Sequence, residues 1–166
     1  ERLNREVTKL AHTDMLTGLP NRRHFFQQAD ASIERCRREG RPLALGVIDL
    51  DRFKAANDTF GHLFGDHLLE AVGTRLHEIF EGRGLLARLG GDEFAFILEA
   101  DESAVADLAG QACQRLAEPF LLDEVTVSIG ASCGIASIRD ISGTSRALYD
   151  GADYALYRTK SERRGF

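Results

Sequence analysis

Two glycines followed by two acidic residues, set between two apolar stretches, constrain the fold of this chain more than any other feature. Residues 85–89 and 94–98 are mostly apolar, and the second stretch is rich in aromatic and β-branched residues, which is typical of β-strands. The glycine pair supplies the positive φ angles that a tight hairpin turn needs. Asp92 and Glu93 follow directly, although aspartate is depleted in strands and adjacent carboxylates repel. The sequence therefore predicts a β-hairpin with two carboxylates at its tip, which serve a cation or a proton transfer or form a solvated turn.

Length, composition and charge predict one domain in a reducing compartment. The 166 residues suffice for a single domain with a proper core. A net charge of −5 argues against nucleic-acid binding, which needs a basic face. No stretch approaches the roughly 20 apolar residues of a membrane span, so we expect no membrane contact. Three widely spaced cysteines predict reduced thiols and a cytoplasmic location, within a larger protein or alone.

The N-terminal segment predicts a helix that arrives from an upstream domain. Leu3, Val7 and Leu10 form one apolar stripe on an otherwise charged segment, and the chain starts within this pattern without a methionine. We therefore expect residues 1–12 to be the end of a linker or signalling helix and residues 13–166 to form the domain. A fraying helix end is the alternative interpretation.

A buried strand ending in two aspartates is the second feature with chemical meaning. Residues 42–50 are almost continuously apolar, which predicts a central strand buried on both faces. Asp49 and Asp51 are two apart, and residues at that spacing on a strand share a face. Asp49 is therefore well placed to bind a metal ion, whereas Asp51 is at least as well explained as a cap of the next turn.

Hydrophobic periodicity predicts four helices and two further strands around the hairpin and the buried strand. Asn21 and Ser103 are suited to capping the first and third of these helices. Residues 52–60 show little periodicity and are expected to be a polar connection. The predicted helices cover residues 22–39, 64–80, 103–117 and 145–162, and the predicted strands cover residues 120–122 and 125–136.

Two polar clusters lie outside the hairpin. Asn57, Asp58 and His62, with Lys54 and Asp66 on either side, exceed what a plain connection needs. Asparagine and aspartate together offer donors and acceptors, which would suit the guanine edge. The last predicted helix ends in a basic cluster, residues 158–164, which favours the helix dipole and is dense enough to neutralise a polyphosphate.

With these segments in order, the chain resembles the GGDEF domain family, the diguanylate cyclases, over essentially its whole length. One such motif would be a weak signal, but four in order with compatible spacing are a strong one. The motifs are DMLTGLPNRR at residues 14–23, DLDRFKAANDTFGHLFGD at residues 49–66, RLGGDEF at residues 88–94 and ADYALYRTK at residues 152–160.

The resemblance implies a fold and a reaction. The fold is α+β, with a central, mainly antiparallel sheet of about five strands flanked by helices, similar to the palm of nucleotide cyclases and polymerases. The reaction condenses two GTP molecules, held on two facing domains of a homodimer, into cyclic di-GMP and two pyrophosphates. Each 3′-hydroxyl attacks the α-phosphate of the other nucleotide. This chemistry implies two Mg²⁺ or Mn²⁺ ions per GTP.

The resemblance also implies roles, residue by residue. Asp92, Glu93 and Lys54 would take part in catalysis, with Asp92 as the candidate base. The metal positions are matched by Asp49, the Leu50 carbonyl, Asp92 and Glu93. The nucleotide positions are matched by Asn57, His62 and Asp66, and an aspartate at 66 favours guanine over adenine. The phosphate positions are matched by Gly90, Gly91, Lys54, Lys160 and Arg164.

The chain departs from the family pattern at one site and leaves a second function open. Many members carry an Arg-x-x-Asp product-inhibition site before the signature, but residues 81–84 read Glu-Gly-Arg-Gly, so we predict no such site. The family's usual Gly-Arg-Asn after Lys160 is replaced by Arg163-Arg164-Gly165. The alternative function is a catalytically silent GTP-binding module that regulates an adjacent EAL phosphodiesterase domain. A pure product receptor is disfavoured because it would rely on the missing Arg-x-x-Asp site.

Overall fold

A computed structural model describes residues 4–5 and 11–164, without the side chains of residues 163 and 164. The apolar stripe of Leu3, Val7 and Leu10 lies outside the described residues, so the predicted linker helix and the domain boundary at residue 12 stay predictions. The structure contains both helices and strands, interspersed along the chain. From residue 22 onwards the elements are α1 (Arg22–Glu39), β1 (Ala44–Asp51), α2 (Phe53–Phe60), α3 (His62–Phe80), β2 (Leu85–Gly90), β3 (Glu93–Leu98), α4 (Glu102–Ala117), β4 (Phe120–Leu122), β5 (Val125–Val127), β6 (Gly130–Ser137) and α5 (Ser145–Arg164).

A central antiparallel sheet organises the domain. Its strands lie in the order β2-β3-β1-β6, and every neighbouring pair is antiparallel. Strands β4 and β5 form a separate hairpin. The α+β class and the antiparallel sheet flanked by helices are confirmed. The predicted strand over residues 125–136 divides into β5 and β6. In the described part of the chain the central sheet has four strands, because β4 and β5 pair with each other outside it.

Two apolar cores cover the two faces of this sheet. Helices α3 and α4 pack on one face, and α1 and α5 pack on the other. Residues 44–48 of β1 are buried, as predicted for a strand with both faces covered. Gly46 lets β1 and β3 pack closely, because a Cβ atom there would lie 2.1 Å from Cζ of Phe96. Strands β1 and β3 are therefore closely packed a few residues before β1 reaches Asp49 and Asp51.

Helix α1 agrees with its prediction at both ends. The Asn21 side chain accepts a hydrogen bond from the His24 N–H at 2.9 Å, which satisfies one of the free donors of the first turn. Gly40 follows the helix with a φ angle of 68°, the left-handed conformation that glycine adopts without strain.

Two helix predictions were wrong in part. Residues 53–60 form α2 instead of a polar connection. Phe53, Ala56 and Phe60 recur at helical spacing, but this stripe is short and Ala56 is its single buried residue. Helix α4 is capped by Asp101, which accepts from the Ala104 N–H at 2.9 Å, instead of by Ser103. Both residues are of the type that caps helices, and the competing cap two positions earlier takes the role.

Candidate active site

The ends of β1 and β3 bring the predicted acidic residues together. Asp49 and Glu93 are directly paired across the two strands. The Leu50 N–H donates to the Asp92 carbonyl at 3.3 Å, which holds the start of the hairpin arm against the end of β1. Residues that are 43 positions apart, Asp49 and Asp92, therefore meet at one edge of the sheet.

The carboxyl groups of Asp49 and Asp92 interact directly. Burial, and then the negative charge of Asp49, raise the pKa of Asp92 above that of an ordinary aspartate. The two groups also lie within hydrogen-bond range of each other. Such a pair favours either a shared proton or a cation, and a raised pKa brings Asp92 closer to the range in which a general base works.

A lysine from α5 supplies a cation to these acids. The Lys160 ammonium forms an ion pair with Asp49 and lies 3.8 Å from Asp51. Asp51 also accepts a hydrogen bond from Ser132 Oγ at 2.9 Å, across the sheet on β6. Lys160, which was predicted to bind phosphate, therefore contacts the carboxylates of Asp49 and Asp51. Asp51 is also hydrogen-bonded to Ser132 on the neighbouring strand.

Tyr149 contacts the last acid of the signature, and sequence reasoning missed it. Its hydroxyl donates a short hydrogen bond to Glu93. Burial, and then this bond, raise the pKa of Tyr149 to about 12, so the hydroxyl keeps its proton and remains a donor at neutral pH. Tyr149 and Lys160 lie about three helical turns apart on α5, and this spacing was the available signal that they share a face.

A cavity of about 590 Å³ opens over the acids. Asp49, Asp51 and Asp92 line it together with Lys54 and Lys160. Its size is within the usual range of small-molecule sites. The predicted catalytic residues Asp92 and Lys54 therefore line the same cavity, together with the C-terminal end of β1.

The predicted guanine-reading residues lie at the junction of α2 and α3. Asn57 Nδ2 lies 3.0 Å from His62 Nδ1, so these two side chains are hydrogen-bonded. A Cβ atom at Gly65 would lie 2.1 Å from Asn57 Oδ1, and only glycine leaves room for that amide. Asp66 follows in α3 and is exposed. The structure thus brings Asn57 and His62 together, and these three residues do not line the carboxylate cavity.

The turn between the two arms is held by an arginine that was not predicted as a site residue. Gly90 and Gly91 have φ angles of 143° and 49°. Arg88 donates to the Gly91 carbonyl from Nε at 3.1 Å and from Nη2 at 2.8 Å. Its Nη1 also donates to Asp14 Oδ1 at 2.8 Å, in a largely buried ion pair. Arg88 therefore links the Gly90-Gly91 turn to Asp14 in the first motif, residues 14–23.

The acids provide the kind of ligands that Mg²⁺ and Mn²⁺ prefer. These hard cations bind carboxylate and carbonyl oxygens, and the Lys160 ammonium already lies against the acids as a cationic group. Over residues 11–164, no cluster of three or more His, Cys, Asp or Glu side chains has the geometry of a metal site. The residues fit a divalent cation through two carboxylates and a main-chain oxygen. The Arg164 side chain lies outside the described residues, so its phosphate role stays a prediction.

Comparison with known proteins agrees with the motifs and the fold. Residues 11–165 match the family model described as diguanylate cyclase, GGDEF domain. The chain belongs to the GGDEF domain family. This GGDEF domain is similar to a sensory box/GGDEF family protein from Caulobacter crescentus, with 40% sequence identity and a TM-score of 0.86. That alignment covers 91% of this chain and 99% of the other.

Two relatives are named for different activities of longer proteins. The domain is 40% identical over 164 residues to the bifunctional diguanylate cyclase/cyclic di-GMP phosphodiesterase MucR of Pseudomonas aeruginosa, covering 98% of this chain and 24% of MucR. It is 37% identical over 157 residues to the cyclic di-GMP phosphodiesterase PdeR of Escherichia coli, covering 94% of this chain and 23% of PdeR. The chain thus spans about a quarter of the length of each. Among its described helices, none combines the length and apolar character that crossing a bilayer requires.

Proposed function

We propose that this GGDEF domain is a diguanylate cyclase that condenses two GTP molecules into cyclic di-GMP and two pyrophosphates. The observation that carries the proposal is the meeting of Asp49 and Asp92 beside Lys160, over a cavity large enough for a nucleotide. Both acids of the signature, Asp92 and Glu93, are present, and Asp92 lines this cavity. A module that only binds nucleotide has no need of a carboxylate pair that repels itself.

Divalent cations would be held by Asp49, Asp92, Glu93 and the Leu50 carbonyl. Bound there, Mg²⁺ or Mn²⁺ would lower the pKa of the attacking hydroxyl and balance the triphosphate charge. Asp92 would accept the proton from the 3′-hydroxyl, a role that its raised pKa supports. Lys160 would exchange its Asp49 contact for a phosphate oxygen.

Other residues would bind and orient the nucleotide. Lys54 faces the same cavity and would neutralise phosphate charge. Gly90 and Gly91 have no Cβ atom, so phosphate could approach their backbone N–H groups closely. Asn57 and Asp66 would hydrogen-bond to the guanine edge, with His62 holding the Asn57 amide in place.

The reaction needs two domains face to face, because each nucleotide attacks the other. We propose a homodimer during catalysis, paired in the full-length protein by an upstream sensor, in the cytoplasm. A downstream EAL domain is a further possible neighbour. The rate of an isolated domain should therefore fall steeply with dilution.

A silent regulatory module is the second candidate, and one observation favours it. A relative that is 37% identical is named only as a phosphodiesterase. In that case the domain would bind GTP through the same residues and act on a neighbouring phosphodiesterase domain.

Nucleotide analysis separates the two candidates. The purified domain, at high concentration, is incubated with GTP and Mg²⁺ or Mn²⁺, and the products are separated by chromatography. Asp92→Ala should abolish product, while Asp107→Ala, a change of an exposed aspartate on α4, should not. Cyclic di-GMP from the wild type and the Asp107 variant alone would support the enzyme. GTP binding without product would support the regulatory module.

A further inference from the structure

A second cavity, of about 600 Å³, lies beside the end of β2 and the first turns of α1 and α5. We call it the arginine cavity. Three exposed arginines line it, Arg22 and Arg23 from α1 and Arg146 from α5, together with the half-buried ring of Phe26. None of the roles proposed above uses these residues.

The protein neutralises the positive charge of the arginine cavity only in part. In the part of the chain that the structure describes, no carboxylate forms an ion pair with Arg22, Arg23 or Arg146. All three stand in the first turn of a helix, where a cation opposes the helix dipole. In a chain with a net charge of −5, three such arginines at one place form a local positive site.

The two acids that line the cavity are already engaged. Asp14 pairs with Arg88 at 2.8 Å, and it also accepts from the Thr17 hydroxyl at 2.7 Å. Asp30 Oδ1 accepts from the Ser145 N–H at 2.9 Å. Asp14 therefore offsets the charge of Arg88, whereas Asp30 is bonded to a neutral N–H and keeps its negative charge. Four arginines and two aspartates line the cavity, which leaves it a net charge of +2.

Aromatic rings hold two of the arginines in position. The guanidinium carbons of Arg22 and Arg146 lie 5.3 and 4.4 Å from the centroid of the Phe26 ring. They lie 5.6 and 5.9 Å from the centroid of the Tyr149 ring. Two like charges thus share the same two rings, an arrangement that an anion between them would stabilise. A ring contact uses the face of a guanidinium and leaves its N–H edge for hydrogen bonds.

We propose that the arginine cavity is a second nucleotide site, which binds the phosphate groups of a guanine nucleotide. Guanidinium groups bind phosphate through paired hydrogen bonds, and they bind guanine through its O6 and N7 atoms. The choice of a guanine nucleotide rests on the proposed function. The ligand is either the substrate GTP or the product cyclic di-GMP, which share this chemistry.

The test removes the first nucleotide site and then measures binding at the second. Asn57→Ala and Asp66→Ala are combined as the background, and EDTA removes divalent cations. GTP, cyclic di-GMP and pyrophosphate are titrated in turn by isothermal calorimetry. We expect saturable binding of at least one nucleotide, and Arg22→Ala with Arg146→Ala should weaken it at least tenfold. Arg38→Ala, a change of an exposed arginine near the other end of α1, should leave it unchanged.

A second pair of variants, Arg22→Gln with Arg146→Gln, keeps the side-chain carbons as far as Cδ and so retains part of the packing that alanine would remove. Circular dichroism checks that each variant is folded. The nucleotide that binds more tightly identifies the ligand as substrate or product. Absence of saturable binding by all three compounds, or equal binding by the arginine variants, would overturn the proposal. Synthesis by the wild-type protein is measured separately, so a failed cyclase assay and a failed second site give different results.

Discussion

Replacing Arg88 by methionine should loosen the turn that carries the two signature acids. Arg88 joins the Gly91 carbonyl to Asp14 through three hydrogen bonds, between segments that are far apart along the chain. Methionine keeps most of the apolar stem but removes every donor. The Asp14 carboxylate would then keep its Thr17 contacts but lose its charged partner.

The burial of this ion pair sets the size of the effect. The side chains of Arg88 and Asp14 are 13% and 16% exposed, so water can replace the lost contacts only in part. Hydrogen bonds to charged groups contribute roughly 1.5–3 kcal/mol each, and losing one partner leaves the other desolvated. We expect Arg88→Met to lower the free energy of unfolding by about 2–3 kcal/mol. For a domain of this size, that corresponds to a fall in melting temperature of about 5–10 °C.

A more exposed ion pair with a similar N–O distance provides the control for the effect of burial. Arg35 lies 2.7 Å from Glu99, but these side chains are 41% and 30% exposed, and Arg35→Met should cost about 1 kcal/mol or less. Urea denaturation of both variants, with Asp14→Asn and its double mutant with Arg88→Met, measures the coupling energy. The reasoning fails if Arg88→Met costs no more than Arg35→Met, or if the Asp14 and Arg88 changes are additive.

Three further predictions test the site and the sheet. Tyr149→Phe removes the donor to Glu93 and should weaken Mn²⁺ binding about tenfold, as measured by electron paramagnetic resonance, with little change in fold. Because folding raises the pKa of Asp92, the folded state disfavours its charged form. Asp92→Asn should therefore raise the melting temperature at pH 7 in EDTA. The gain should shrink as the pH falls through the raised pKa of folded Asp92 and should be absent below the unfolded value of about 3.9, in melting curves recorded across pH. Gly46→Ala places a Cβ atom 2.1 Å from a ring carbon of β3 and should cost about 3 kcal/mol in urea denaturation, whereas Gly110→Ala meets open space and should be neutral or stabilising.

Much of the fold could be predicted because its determinants are local. The cap at Asn21, the apolar run of β1 and the glycine turn of the hairpin each act within a few residues. Helix α2 could not be predicted in this way. It follows Arg52, whose φ angle of 67° is uncommon for a residue with a side chain, and it buries little. Its apolar pattern spans only two turns, and the helix packs against α3.

The candidate site was predictable as a set of residues but not as a set of contacts. The motifs place acids and a lysine in the right order, yet the Lys160–Asp49 ion pair and the Tyr149–Glu93 hydrogen bond join α5 to the sheet across a long stretch of chain. Such contacts depend on how α5 packs on the sheet, and no local pattern encodes that. Arg88 was within the signature, but its partner Asp14 lies 74 positions away.

The three aspartates of the site differ in how well the protein stabilises their negative charge, and this difference helps to decide whether the domain is an enzyme. The Lys160 ammonium stabilises the negative charge of Asp49, and the Ser132 hydroxyl donates a hydrogen bond to Asp51. Asp92 is different, because burial and the charge of Asp49 outweigh the attraction of Lys160 and raise the pKa of Asp92. A carboxylate kept only for the fold would be paired, since an unfavourable charge costs stability. Asp92 lines a nucleotide-sized cavity, and its charged form remains unfavourable there. Such an acid is expected where a cation or a proton will be bound during a reaction.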